Sequence, residues 1–369
     1  MKFQVKETQT VNFVFDRTKS FSKFYLCKTK QYKKIFIIYD KYLRSSWLKK
    51  LLDKIDKKQK ILLIPLSATE KTKHITSISF LSSKLEDGNC SRSDLIIAMG
   101  GGTILDMSGF IASVYMRGVD LVMVPTTLMG QTDASSAGKT CVNGKLTKNL
   151  LGTLYLPKAV YNNVAVLKSC SNHSNRQGLS EILKYALLGS KKLFKLLDKY
   201  SNKRSEKLLL EIIRETIKIR IKLRIVDPLK SNLGHTFGHA FESDSKNLVS
   251  HGDAISVGIL FALKLSIQKK MINQSDYDKV HRLMQKLNLN TKVDKSINIK
   301  NIVNLMMKDK KSNGTHIGFV LLKEIGNFSS NSNLGYSYID PLKIKAFLKK
   351  SFENDNILIK DHWKKLSLN

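Results

Sequence analysis

Residues 94–110 read DLIIAMGGGTILDMSGF. A short apolar run leads into three glycines, Gly100, Gly101 and Gly102, and then into apolar residues at helical spacing. Four to eight apolar residues closed by a turn signal read as a buried strand, and a strand that passes through glycines into a helix opens a strand–helix–strand unit. Similar runs lie on both sides of it: IFIIYD (35–40), ILLIPL (61–66), LVMVPTT (121–127) and KAVYNN (158–163). Segments with helical spacing, such as YLRSSWLKKLLDKI (42–55), separate them. This alternation predicts an α/β domain with a doubly wound, Rossmann-like parallel sheet over residues 1–170.

The strand pattern stops at about Ser171. GLSEILKYALLGSKKLFKLLDKY (178–200), EKLLLEIIRETIKIRIKLRIV (206–226) and AISVGILFALKLSIQKKMI (254–272) carry apolar residues at helical spacing. They predict a mainly α-helical domain over residues 171–369, with IGFVLL (317–322) as a late strand. Two domains suit a chain of 369 residues.

Composition narrows the class. Hydrophobic residues make up 42% of the chain, too many for a disordered one. No stretch approaches the roughly 18 apolar residues of a membrane span. The N-terminal MKFQVKETQTVNF has no apolar run behind its charges, so no secretory signal is expected. The four cysteines form no CxxC pair, which argues against a zinc ribbon or a disulfide framework and for a reducing, cytoplasmic setting. The formal charge of +33 has two readings. A basic face would attract nucleic acid. Alternatively, a genome rich in A/T codons would enrich Lys, Ile and Asn together. The lysines are scattered in pairs rather than gathered in an arm, so no specific nucleic-acid partner is expected.

Two stretches carry chemistry. The glycines at 100–102 let a backbone approach a phosphate, and the helix behind them offers free N–H groups. The pattern is neither GxGxxG nor a P-loop, and a plain tight turn is an equally open reading. The second stretch, NLGHTFGHAFESDSKNLVSHGDA (232–254), holds three of the eight histidines. His235 and His239 share a helix face with Glu242, a spacing that can chelate zinc, although a pair of ordinary helix histidines has the same spacing. His251 follows a polar loop that could fold back. Local spacing alone nominates the His235/His239 pair.

MGGGTILDMSGFIASVYMRGVDLVMVPTTLMGQTDASSAGKTCVN (99–143), GLSEILKY (178–185), NLGHTFGHAFE (232–242) and SHGDAISVG (250–258) follow one another in an order that closely resembles the 3-dehydroquinate synthase family of sugar phosphate cyclases. The resemblance spans roughly residues 60–330. It implies a metal, Zn2+ or Co2+, held by Glu181, His235 and His251, with His239 turned to the substrate instead. It implies NAD bound in the first domain by Gly101, Gly102, Asp106, Thr126 and Thr127, with Glu70 and Lys73 on the adenosine side and Lys139, Lys148 and Leu167 as further contacts. Asp133, Lys139, Asn149, Lys184, Asn232 and His239 would meet a sugar phosphate substrate. The implied reaction is transient oxidation with NAD as hydride acceptor, phosphate elimination, re-reduction, ring opening and aldol closure. A homodimer is the family's expectation.

The chain departs from the family in its anion-binding residues. IVDPLKSNLGHT (225–236) is shorter than the usual segment, which carries an acidic residue and an Arg. Pro228 stands at the Arg position with Lys230 nearby, and the preceding family Lys falls near Arg220, between Lys218 and Lys222. Gly318 replaces a basic residue and Ala137 a glycine. Lys230, Lys218 or Lys222 is therefore expected to meet the substrate phosphate. The alternatives are a cyclase for another sugar phosphate, of the aminocyclitol-forming kind, or a decayed, non-catalytic fold that binds through its basic surface.

Overall fold

The computed structural model describes residues 9–136, 138–145, 148–226, 231–246, 248–327, 336–354, 358–359 and 362. Ala137, Pro228 and Lys230 lie outside the described residues. The chain divides into two compact units, residues 1–171 and 172–369.

In the first unit, strands β1 (Asn12–Asp16) and β2 (Lys34–Asp40) are followed by helix α1 (Ser45–Leu52), β3 (Lys60–Leu66), α2 (Ile75–Asp87), β4 (Leu95–Gly100), α3 (Gly102–Val114), β5 (Asp120–Pro125), α4 (Leu128–Thr132), β6 (Lys139–Val142), β7 (Leu151–Leu154) and β8 (Ala159–Asn163). Six of these strands form one sheet in the order β1-β8-β5-β4-β2-β3, and every neighbouring pair is parallel. All six residues of β4 are buried, as a parallel sheet covered on both faces requires. Phe36, Ile38, Ile96, Ala98, Met123 and Val160 pack on one face with Leu81 and Leu85 of α2 and Ile104 and Leu105 of α3. On the other, Tyr161 of β8 stacks on Phe21 at 5.5 Å, and Phe21 meets Trp47 of α1 at 5.8 Å.

Two features escaped the sequence reading. β1 is an edge strand in which only Val14 and Asp16 are buried, so it lacks a core strand's apolar run. β6 and β7 form a short antiparallel hairpin, and β7 has no buried residue to give it a period. The sheet order reverses between β2 and β4. In an open parallel sheet, ligands bind beyond the carboxyl ends of the strands at that reversal, which here are Asp40 and Gly100.

The second unit is helical: α5 (Asn172–Gly189), α6 (Lys191–Asn202), α7 (Glu206–Val226), α8 (His235–Asp244), α9 (His251–Gln268) and α10 (Gln274–Lys286), then β9 (Val293–Asp294), α11 (Ile299–Met307), β10 (Ile317–Phe319), β11 (Ser337–Ile339), α12 (Pro341–Asn354) and β12 (Leu358–Ile359). The stretch 178–200 is two helices, because Ser190 interrupts it and caps α6 by accepting from the Leu193 N–H at 3.0 Å. The late strand is shorter than IGFVLL and ends at Phe319. Phe237 of α8 centres the core, 4.9 Å from Phe319 and 5.6 Å from Phe261 of α9. No helix among the described residues is long and apolar enough to cross a membrane.

Three glycines let α5, α8 and α9 approach closely. A Cβ on Gly258 of α9 would lie 2.2 Å from the Gly234 carbonyl oxygen just before α8. Gly234 itself has φ +77°, a backbone that disfavours any side chain. A Cβ on Gly252 would lie 2.4 Å from Gln177 Cα on α5.

Candidate metal and nucleotide sites

These close approaches bring together Glu181 from α5, His235 from the start of α8 and His251 from the start of α9. One ligand-type atom from each lies within 4.8 Å of the others. His235 Nε2 and His251 Nε2 are each 3.5 Å from Glu181 Oε1. That oxygen is buried and has no hydrogen-bond partner. The other ring nitrogens are engaged. His235 Nδ1 lies 3.1 Å from the Leu233 carbonyl oxygen and His251 Nδ1 lies 3.0 Å from Glu242 Oε2. Outer hydrogen bonds of this kind orient imidazoles for a metal.

The electrostatics fit a cation. Burial alone would raise the Glu181 carboxyl, but Lys184 and the two histidines offset this and hold it well below the usual range. Burial disfavours a charge on His251, yet Glu181 and Glu242 on either side outweigh it and push its pKa to about 10. Protonated His251 thus neutralises a carboxylate pocket that an ion could neutralise instead. Burial, reinforced by Lys184, holds His235 well below its ordinary value, so it is a neutral imidazole suited to ligation. Two imidazoles and a carboxylate match a catalytic zinc set that keeps positions open.

His239 does not join the cluster, although spacing alone nominates it. Its ring packs against those of His235 and His251, with centroids 5.2 and 5.9 Å away, while Nδ1 turns to Asp309 Oδ2 at 3.4 Å. Lys184 Nζ pairs with Glu181 Oε2 at 2.5 Å and is almost wholly buried. Asn232 is half-buried, three residues before His235. Lys218 and Lys222 are exposed, whereas Arg220 is half-buried and donates from Nε to the Tyr185 hydroxyl at 3.0 Å.

In the first unit, the glycine turn closes against the end of β5. Thr126 N–H donates to the Gly100 carbonyl at 2.9 Å, and Thr127 caps α4 by accepting from Gly130 N–H at 3.0 Å. A Cβ on Gly101 would sit 3.1 Å from Thr127 Cγ2, whereas one on Gly102 would meet only Ala134, at 3.7 Å. Lys73 is buried and bonds Asp106 Oδ2 and Asn149 Oδ1, both at 2.5 Å. Burial opposes the Lys73 charge, but the Asp106 carboxylate more than offsets it and raises the ammonium's pKa. Glu70 is exposed and accepts from Asn143 Nδ2 at 2.7 Å, which ties the 70–73 turn to the β6–β7 hairpin. Lys139 and Lys148 are exposed, Asp133 is half-buried and Leu167 is buried.

Several residues in these sites went unassigned from sequence. Glu242 is visible there only as a neighbour of His235 on the helix face, and its bond to His251 depends on the loop back to α9. Cys141, 3.1 Å from Asn149 Oδ1, and Asn143 lie on the unpredicted hairpin. Asp309 and Lys311 are distant in the chain and carry no local signal.

Solved structures share this architecture. A 2-deoxy-scyllo-inosose synthase complexed with carbaglucose-6-phosphate, NAD+ and Co2+ matches with a TM-score of 0.82 at 21% identity, over 92% of this chain and 96% of that one. A 2-epi-5-epi-valiolone synthase from Streptomyces hygroscopicus, with NAD+ and Zn2+ bound, matches with a TM-score of 0.83 at 22% identity, over 96% and 100%. The chain therefore shares the fold of these two synthases.

The chain belongs to the 3-dehydroquinate synthase family. The model of the family's N-terminal domain matches residues 63–177 and that of its C-terminal domain residues 178–312. The 3-dehydroquinate synthase of Endomicrobium trichonymphae is 34% identical over 312 residues, covering 82% of this chain and 86% of the relative. That of Pelagibacter ubique is 33% identical over 323 residues, covering 84% and 88%.

Proposed function

We propose that this chain is a 3-dehydroquinate synthase, a carbon–oxygen lyase that converts 3-deoxy-arabino-heptulosonate 7-phosphate to 3-dehydroquinate and phosphate. The observation that carries this reading is the buried Glu181 Oε1, 3.5 Å from two imidazole nitrogens whose rings are held from their other side. Glu181, His235 and His251 would hold Zn2+ or Co2+, and the Gly100–Gly102 turn with Asp106, Lys73, Thr126 and Thr127 would hold NAD. When bound, these groups supply Lewis-acid polarisation and reversible hydride acceptance. Lys184 places a positive charge beside the Glu181 carboxylate. His239 offers an imidazole next to the ligand pair, and Asn232 and Lys184 offer donors to substrate oxygens. In the first unit, Asp133, Lys139 and Asn149 are assigned to the substrate, and Glu70, Lys148 and Leu167 to the cofactor. A homodimer and a cytoplasmic setting accompany this reading.

A cyclase for a sugar phosphate without a carboxylate is the second reading, and one observation favours it. A Cβ at Gly318 would lie 2.3 Å from the Lys311 carbonyl oxygen, so no basic side chain fits at the position where the family carries one. The test is turnover of the heptulosonate phosphate with NAD+ and Zn2+, read as released phosphate and carbocyclic product, beside sedoheptulose and glucose phosphates. Turnover of the carboxylate-bearing substrate alone supports the first reading, and turnover of a sugar phosphate without a carboxylate alone supports the second.

A further inference from the structure

His239 sits in a small structure of its own. Asp309 Oδ2 lies 3.4 Å from its Nδ1. The other oxygen of that carboxylate accepts the Lys311 backbone N–H at 2.9 Å and lies 2.5 Å from Lys311 Nζ. The Lys311 side chain has no exposed surface, whereas 41% of the His239 side chain is exposed. The segment is anchored back to the histidine helix. Lys311 lies flush against Gly318 of β10, and the Gly318 carbonyl accepts the Thr236 hydroxyl of α8 at 2.9 Å. Thr236 and His239 are one helical turn apart. The carboxylate is thus held from both sides and aimed at one nitrogen of a half-open ring.

We propose that Asp309, held in place by Lys311, is a positioning residue for His239: it keeps the proton on Nδ1 and leaves Nε2 as a hydrogen-bond acceptor for a substrate hydroxyl. A carboxylate has no proton to donate, so it accepts only from an N–H and thereby selects the tautomer of a neutral imidazole. Burial would raise the Asp309 carboxyl, but His239 and Lys311 more than offset this and keep it ionised. A bare Asp–Lys ion pair would need no histidine, and the ring's exposed side is where a ligand can approach. This assignment deepens the proposed reaction and rests on it for the identity of the hydroxyl.

The test uses the full chain loaded with NAD and Zn2+. Asp309→Asn puts an amide donor opposite Nδ1 and inverts the tautomer. It should lower kcat by about 100-fold or more while KM moves less than about threefold, with zinc content unchanged. In a His239→Gln background the same change should cost nothing further. Asp309→Asn leaves the Lys311 ammonium buried beside a neutral amide, so Asp309→Asn/Lys311→Met is measured alongside and should show the same loss. Independently of turnover, 15N spectra of the His239 ring should show Nδ1–H in the parent and Nε2–H in Asp309→Asn. An Nε2–H signal in the parent, or an equal loss of kcat with and without His239, would overturn the assignment. An inactive parent with the Nδ1–H signature would overturn the proposed reaction and leave the positioning role standing.

Discussion

Glu181 Oε1 is the atom on which the candidate metal site turns. A buried carboxylate is costly unless something positive meets it, a role that protonated His251 fills and that a bound ion could take over. His251 is the replaceable member of the cluster, because it begins α9 and keeps 34% of its side chain exposed. His251→Ala should reduce bound zinc from one equivalent to almost none after dialysis, with circular dichroism unchanged. Glu242 acts at one remove, through His251 Nδ1. Glu242→Gln should weaken zinc binding by about 10–100-fold rather than abolish it. Competition with a chromogenic chelator separates the two outcomes. Equal zinc affinity in the parent and Glu242→Gln would mean that the 3.0 Å contact does not orient the ring.

At the scale of elements, close helix contact builds the site. α8 and α9 touch backbone to backbone at Gly234 and Gly258, so their first residues, His235 and His251, arrive side by side. Gly258→Ala places a methyl where 2.2 Å separates it from a carbonyl oxygen and must push the helices apart. The expected cost is about 1–3 kcal/mol in urea unfolding, with a larger proportional loss of zinc affinity. The edge of the first unit's sheet depends on Asp16 in a comparable way. Its carboxylate accepts the Tyr161 hydroxyl, the Arg17 N–H at 2.7 Å and the Thr18 N–H and hydroxyl, both at 2.9 Å. Burial alone would raise its pKa, but these donors prevail and lower it. A depressed folded pKa means stability that is fully present above the unfolded Asp value of about 3.9 and lost as pH falls through the folded value. Asp16→Asn should therefore cost about 1–2 kcal/mol at pH 7, and the gap from the parent should close in strong acid. A gap that is constant from pH 7 to pH 2 would assign the effect to shape rather than charge.

At the scale of the whole molecule, charge is the outstanding property: 63 Lys and Arg against 30 Asp and Glu. The buried ion pairs Lys73–Asp106, Lys184–Glu181 and Lys311–Asp309 all lie in or beside the candidate sites. The other lysine pairs are largely exposed and contribute little each. Scattered charge of this kind predicts polyanion binding that does not read sequence. Affinity for a DNA duplex should be independent of sequence and fall at least about tenfold between 50 and 200 mM salt. Titration of two unrelated duplexes at both salts checks this, and a sequence preference that survives 200 mM salt would revive the basic-surface reading.

The strand core and the long helices were legible along the chain because burial on both faces, or on one helical stripe, leaves a periodic trace in neighbouring residues. β2, β4, β5, β8 and α7 leave that trace, whereas the edge strand β3 buries only Ile64 and Leu66 and was legible from its unbroken run of Ile and Leu instead. β1 and the β6–β7 hairpin do not, since they bury too few residues to set a period and carry no apolar run of their own. The candidate metal trio was legible only through resemblance: local spacing pointed to His235 and His239. Tertiary structure overrides that spacing because Gly252, Gly234 and Gly258 bring α5, α8 and α9 to backbone contact, joining Glu181 to histidines at least 54 residues further on. The contact that turns His239 away, from Asp309, spans 70 residues. Sequence by itself determined which segments form strands and helices and which residue types were available for chemistry. Only the packing of helices decided which imidazole nitrogens face the carboxylate, because that depends on distances between residues that no local period connects.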